Sequence, residues 1–415
     1  VLNNVINILG KGASRAMIDG RMIELAGEEL NNFLKSISAS DIKNIEIISN
    51  PPAKYEAEGT GGLINIILKK GARNSWKNTT TASYDQSKYG IYTLRNNFFY
   101  NKNKFRLSAS INGKKGYRNI DEALDMYFVE GPTKMDISAK LNEDNISGKI
   151  ALDYDFSEKT SFGFQFLRDG GEPGFKSDII IDNYNAQNEL DNYIINKSFA
   201  NRKYGIQTYN ANMTTKLDPL NRKLSFDIDY FNYNSKFDRD FVASNYYSDG
   251  TFIDVNQSGR NISNQDIENL SFKTDMEHPL QALNLSYGAK ISFTNSKSDV
   301  VYYNTISGIP ELDTNQTNQF KYTENNLAIY VNGDKKLNDK WSVQLGLRLE
   351  NTKTNGFSEN LNQETENNYL KLFPTFYTSY IKNENNNFSL NYGKRIKRPS
   401  YDLLNPFRVY ISSNS

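Results

Sequence analysis

The sequence predicts a mainly β fold: an antiparallel up-and-down transmembrane β-barrel of about thirteen strands, preceded by a small α/β unit. Three observations predict it. From Trp76 onward, apolar and polar residues alternate with period two. The alternating segments are joined by connections that are short and long in turn. The first 72 residues carry a different pattern, with one helical stretch and turns rich in Pro and Gly.

Composition sets the bounds. A chain of 415 residues exceeds an ordinary single core unless it builds a large barrel or a repeat. The net charge of +1 gives no reason to expect nucleic acid or another strong polyanion as partner. There is no Cys, which excludes disulfides and thiolate metal sites. Hydrophobic residues make up 38% and mean hydropathy is −0.66, and no run is long and apolar enough for a spanning helix. Aromatic residues nevertheless reach 13%, too many for a disordered chain. A barrel whose strands alternate lipid-facing and lumen-facing residues reconciles these values.

The elements follow in order. VLNNVINILG at the start is apolar but has neither a charged leader region nor a cleavage site, so the chain is expected to begin inside a longer protein. Asp19-Gly20 stands between two β-like runs as a hairpin turn. Gly27-Glu28-Glu29 opens a helical pattern with Leu30, Phe33, Leu34 and Ile37 on one face. Ser40 or Asp41 caps the next turn. IKNIEIIS then alternates as a strand, with Ile42, Ile45, Ile47 and Ile48 supplying its apolar side.

Pro51 and Pro52 exclude helix from the loop that follows, and Pro51 pushes Asn50 into extended geometry. Gly59, Gly61 and Gly62 permit a turn with positive φ. Leu63–Leu68 is an apolar strand broken only by Asn65 and ended by Lys69, Lys70 and Gly71.

Beyond Trp76 the two-residue period persists. Leu107, Ala109 and Ile111 share one face, as do Phe162, Phe164 and Phe166, and Trp341, Val343, Leu345, Leu347 and Leu349. Short turns are expected near 101–104, 157–159, 218–222, 278–281, 338–339 and 383–386. Long polar loops are expected near 114–134, 170–202, 236–265, 295–320 and 353–368. Past the first hairpin, short and long alternate strictly, as in a spanning barrel and unlike a Greek-key sandwich. Many strands reach ten residues, enough to cross a bilayer at a tilt. An odd number of strands leaves an edge open, so the tail from Lys397 is read as a loop leading to further strands.

Three segments carry a family resemblance. IDGR at Ile18–Arg21, SASDIKNIEIISNPPAKYEAEGTGGLINIILKKG at Ser38–Gly71 and KRPSYDLLNPF at Lys397–Phe407 resemble a TonB-dependent outer-membrane receptor. The resemblance implies that residues 1–72 are the C-terminal part of a plug domain. Residues 73–415 would be the N-terminal part of a barrel of about 22 strands. Asp19, Gly20, Arg21, Asn50, Pro51, Pro52, Tyr55, Gly59, Gly61, Gly62 and Asn65 fall in the plug motif, and Arg398, Pro399, Ser400, Tyr401, Asn405 and Pro406 in the barrel motif. The implied partners are TonB, reached through a segment absent here, a small-molecule or glycan cargo, outer-membrane lipid and a surface lipoprotein. The implied place is the bacterial outer membrane and the implied activity is energy-coupled uptake of a scarce nutrient. Against that pattern the chain lacks a signal peptide, a TonB-binding segment, the first half of the plug and about nine strands.

No catalytic, cofactor or metal site is expected, and the protein is not expected to be an enzyme. Gly59-Thr60-Gly61-Gly62 has no following Lys-Ser/Thr and no helix, so it is a turn and not a phosphate cradle. His278 is the only His and falls in a short turn. Asp227 and Asp229 share a lumen face as solvated or paired acids, and Asp125, Asp144 and Asp153 lack calcium-loop spacing. Arg21, Glu46, Lys69 and Lys70 are candidates for ion pairs between plug and barrel. Tyr- and Asn-rich loops such as NYNAQNELDNY and ASNYYSDGTF suit stacking and hydrogen bonding, or simple solvation. Two rival readings stand beside the receptor: a passive porin or adhesin, and a soluble β-rich glycan-binding protein.

Overall fold

The computed structural model describes residues 14–18, 21–22, 34, 42–48, 51–57, 62–69, 74–396 and 398. They form two sheets. The smaller contains β1 (Arg15–Ile18), β2 (Arg21–Met22), β3 (Ile42–Ile48) and β4 (Leu63–Leu68), in the order β2-β1-β4-β3. β1 and β2 pair as the hairpin that Asp19-Gly20 predicts, with Ile18 opposite Arg21. β1 runs parallel to β4, and β3 runs antiparallel to it. Gly62, at φ 81°, turns the chain into β4 in a conformation that L side chains avoid. Leu34, the one described residue of the predicted helix, packs with Ile42 against a cluster of Ile18, Ile66 and Leu167. Ile45 and Ile47 depart from expectation. They are 55% and 64% exposed, so only part of the predicted apolar side of β3 is covered.

The large sheet begins with β5 (Ser75–Gln86), β6 (Gly90–Lys102), β7 (Phe105–Phe128), β8 (Gly131–Asn142), β9 (Asn145–Asp155) and β10 (Thr160–Gly171). It continues through β11 (Gly174–Tyr184), β12 (Leu190–Lys216), β13 (Lys223–Tyr247), β14 (Phe252–Pro279) and β15 (Asn284–Asn304). It ends with β16 (Glu311–Leu312), β17 (Asn318–Lys336), β18 (Trp341–Ser358), β19 (Gln363–Asn383) and β20 (Asn386–Gly393). All its pairings are antiparallel. Of its sixteen strands, β8, β11 and β16 lie at the rim of the long connections, which leaves the thirteen wall strands that the sequence predicts.

One face of the wall is apolar. Leu152, Phe164, Ala211, Ile228, Phe272, Ile291 and Leu327 lie in one cross-strand row. Near the short turns, the rings of Trp341 and Tyr380 stack at 4.7 Å, and Phe156 meets Phe162 at 6.2 Å. An apolar band edged by aromatic rings is the lipid-facing surface of an outer-membrane barrel. The opposite face is polar and holds the small sheet: Leu167 of β10 completes the cluster with Ile18 and Ile66.

The expected long loops are corrected. Most of residues 114–134, 170–202, 236–265, 295–320 and 353–368 continue the strands beyond the apolar band. β12 and β13 stay paired from Lys216–Lys223 to Asn192–Tyr247 without a register shift. Twenty-seven residues at about 3.3 Å each span roughly 90 Å, against an apolar band about 25 Å tall. These outer halves lack an apolar face because no lipid touches them. Composition therefore reads as loop while the backbone ladder continues.

Candidate functional site

The loop Pro51–Ala57 joins the two sheets. Pro51 and Pro52 have no N–H to satisfy, and the Tyr55 N–H closes a turn on the Pro52 carbonyl at 3.0 Å. The turn carries Pro51, Ala53 and Ala57 into buried positions against the wall. Ala53 fits because β18 has a glycine opposite it. A Cβ on Gly346 would lie 2.9 Å from the Ala53 Cβ and 2.4 Å from Thr375 Oγ1.

Charged groups fasten the same loop. Glu56 forms ion pairs with Lys290 on β15 and with Arg15 on β1. Burial works to raise the Glu56 carboxyl, but Lys290 and Arg15 outweigh it and hold the group well below the usual carboxylate range. Arg395, just past β20, donates to the carbonyls of Pro51 and Glu56, each at 2.7 Å. Ala57 closes the loop: its carbonyl accepts from the Ile396 N–H at 3.0 Å, and its N–H lies 3.5 Å from Glu350 Oε1.

A second layer lies beneath. Glu350 on β18 is buried between Arg348 at 2.6 Å and Arg398 at 2.9 Å, and Arg398 also donates to Thr352 Oγ1 at 3.3 Å. The Arg348 guanidinium sits 5.4 Å from the Tyr330 ring centroid, and the Tyr330 hydroxyl donates to Asp275 at 2.5 Å. The arrangement is a clamp of ion pairs and hydrogen bonds between a loop and the inner face of a barrel.

The plug-motif residues divide between the clamp and the small sheet. Pro51, Pro52 and Tyr55 form the clamped turn, and burial raises the Tyr55 hydroxyl. Asn65, buried in β4, donates to Glu46 at 2.9 Å. Glu46 is thus engaged within its own sheet. Arg398 reaches the clamp. Arg21 pairs with Ile18 in the β1–β2 hairpin. Asp19, Gly20, Asn50, Gly59, Gly61, Pro399, Ser400, Tyr401, Asn405 and Pro406, with Lys70, lie outside the described residues. Sequence reading missed Glu56, Lys290, Arg348, Glu350 and Arg395. Their only signal was a charge on the lumen-facing parity of a strand, or beside the Pro-Pro turn. Asp229, an expected lumen acid, accepts from Asn210 at 2.6 Å. His278 lies at the end of β14, and among the described residues no three metal-ligating side chains cluster.

The comparisons agree with this fold. Residues 215–415 match the outer membrane protein beta-barrel family. The ferric citrate transporter FecA, in its unliganded form, shares 12% identity at a TM-score of 0.50, over 89% of this chain and 52% of that one. The siderophore receptor PiuA from Acinetobacter baumannii shares 12% at a TM-score of 0.52, over 92% of this chain and 58% of that one. The chain thus spans little more than half the length of these structures. No curated protein matches it in sequence. The fold is that of an outer-membrane β-barrel, and its place is the bacterial outer membrane. Its fold is, more narrowly, that of the TonB-dependent receptor barrels its motifs resemble.

Proposed function

We propose that the chain is part of a gated uptake channel. Residues 1–72 belong to a plug, residues 73–415 to the barrel around it, and the Pro51–Ala57 loop is the contact that must loosen for solute to pass. The clamp on Glu56 carries this reading. A passive pore has no need of a loop pinned to β15, to β18 and to the chain after β20. Ion pairs in a partly hydrated lumen also suit a contact that opens and closes, because water replaces each partner on release. The likeness to a ferric citrate transporter and a siderophore receptor supports uptake of a scarce nutrient, and the plug motif supports TonB as the energy source.

The test uses the absence of native Cys. Ala53→Cys places a thiol at a position 3% exposed. In cells carrying the full-length protein, a periplasmic thiol reagent should label it faster when TonB is present than when TonB is deleted. Equal labelling in both strains contradicts energy coupling and returns the passive pore.

A further inference from the structure

Charge is partitioned across the outer halves of the wall strands. β12 to β15 and β17 keep their register from the clamp up through the row of Phe241 and Gly259, and β13 slips against β14 only above it, past Ala243, so the lumen-facing parity set by Lys290 and Glu350 continues up to that level. On β13 to β15, charged side chains of the outer halves stand mostly on the opposite parity. Arg260 there holds Asp238 through two contacts, at 2.9 and 2.7 Å, and Lys297 meets Asp299 at 3.1 Å. The lumen parity carries amides, hydroxyls and rings instead.

Its centre is a pair of half-buried rings. Phe241 on β13 and Tyr302 on β15 lie 6.4 Å apart across β14. They meet over Gly259, where a Cβ would stand 2.3 Å from the Tyr302 hydroxyl and push the ring aside. Arg239 is the cation at this level. Its guanidinium lies 5.2 Å from the Phe241 ring centroid and donates to Ser198 at 2.8 Å. The rings are flanked by amides whose oxygens are shielded from solvent and have no hydrogen-bond partner among the described residues: Asn196, one lumen-facing step above Ser198, and Asn261, opposite Tyr302. Asn326 is a third such amide. It lies lower, beside Thr352, one step above the row of Glu350.

We infer that this face binds an uncharged, hydroxyl-rich ligand with flat apolar faces, a neutral oligosaccharide, and passes it down toward the clamp. The inference rests on the uptake reading and names its substrate class. Sugar rings present C–H faces to aromatic side chains, and their hydroxyls donate to amide oxygens such as those of Asn196 and Asn261. A carboxylate-rich chelate would instead call for several free cations, and Arg239 and, one lumen-facing step lower on β12, Arg202 are already turned onto ring and hydroxyl partners.

The test is calorimetry on the purified full-length protein in detergent. The probes are short neutral glucose and mannose oligosaccharides, a uronic-acid oligosaccharide and ferric citrate. The expected result is binding of a neutral oligosaccharide in preference to both anionic probes. Tyr302→Ala and Phe241→Ala should each weaken it up to about tenfold, the scale of one aromatic contact. Tyr302→Phe should retain binding and controls for folding, and Asp238→Asn on the opposite face should leave it unchanged. Preference for an anionic probe, neutral binding indifferent to both ring variants, or binding of no probe would each overturn the inference. None of these outcomes touches the gating reading, which rests on labelling of Ala53→Cys.

Discussion

The Glu56 carboxylate and the Lys290 ammonium, 234 positions apart in the chain, form an ion pair that ties the Pro51–Ala57 loop to the middle of β15. Arg15 shares the carboxylate from the opposite side, so one acid links the small sheet, the loop and the wall. Both members of the pair are less than one-fifth exposed. Removing Lys290 leaves Glu56 with Arg15 as its remaining partner, which costs roughly 1.5–3 kcal/mol, the scale of one hydrogen bond between charged groups. Lys290→Met should therefore loosen the loop by that order. Faster thiol labelling of Ala53→Cys in the Lys290→Met background reads the change, and an unchanged rate would show that the pair does not hold the loop.

The pair also sets a pH dependence. The Glu56 carboxyl titrates lower in the folded chain than its ordinary value of 4.5. The clamp's contribution is then fully present above that value and is lost as pH falls through the folded pKa. Hydrogen exchange at residues 53–57, expressed relative to the free-amide rate at each pH, should be slow near neutrality and gain speed in acid. Glu56→Gln should give fast exchange at both, with the pH step removed.

Gly346 is a steric counterpart of the ionic contacts. Adding side-chain atoms there drives into Ala53 and Thr375. Gly346→Val should destabilise the closed arrangement by about 1–3 kcal/mol, as overpacking does. Ala53→Gly should recover part of the loss in the double variant, and denaturation of all three proteins in detergent measures the coupling.

The two faces of the wall predict opposite tolerances. Ile329, 54% exposed, lies on the lipid face between Ala289 and Leu349. Ile329→Arg should cost about 2–4 kcal/mol near the membrane midplane. Ser292, on the lumen parity of β15 one step above Lys290, should accept Arg with far less loss. Urea-dependent folding into lipid vesicles compares the two directly.

The spanning strands were legible in the sequence because lipid imposes a signal that composition records. Phe162, Phe164 and Phe166 must alternate with small or polar residues when one side faces lipid and the other a wet lumen. The same logic hid the outer halves of β12 to β15. Water on one side and a polar interior on the other leave no apolar period, so Asn192–Asn201 looks like a loop although it is fully laddered. The Asp19-Gly20 hairpin and the Leu63–Leu68 strand were readable from local chemistry. Glu56 with Lys290, and Arg395 with the Pro51 carbonyl, were not. Their meeting depends on strand tilt and register across the barrel, and most wall strands offer charged residues of the right parity.

The central claim is that the clamped loop closes the lumen. Single-channel conductance of the purified full-length protein in a planar lipid bilayer tests it most directly. The account predicts no steady conductance from the intact protein, and channel openings once Glu56→Gln and Lys290→Met are combined. A large, constant conductance from the intact protein, unchanged in the double variant, would contradict the gate.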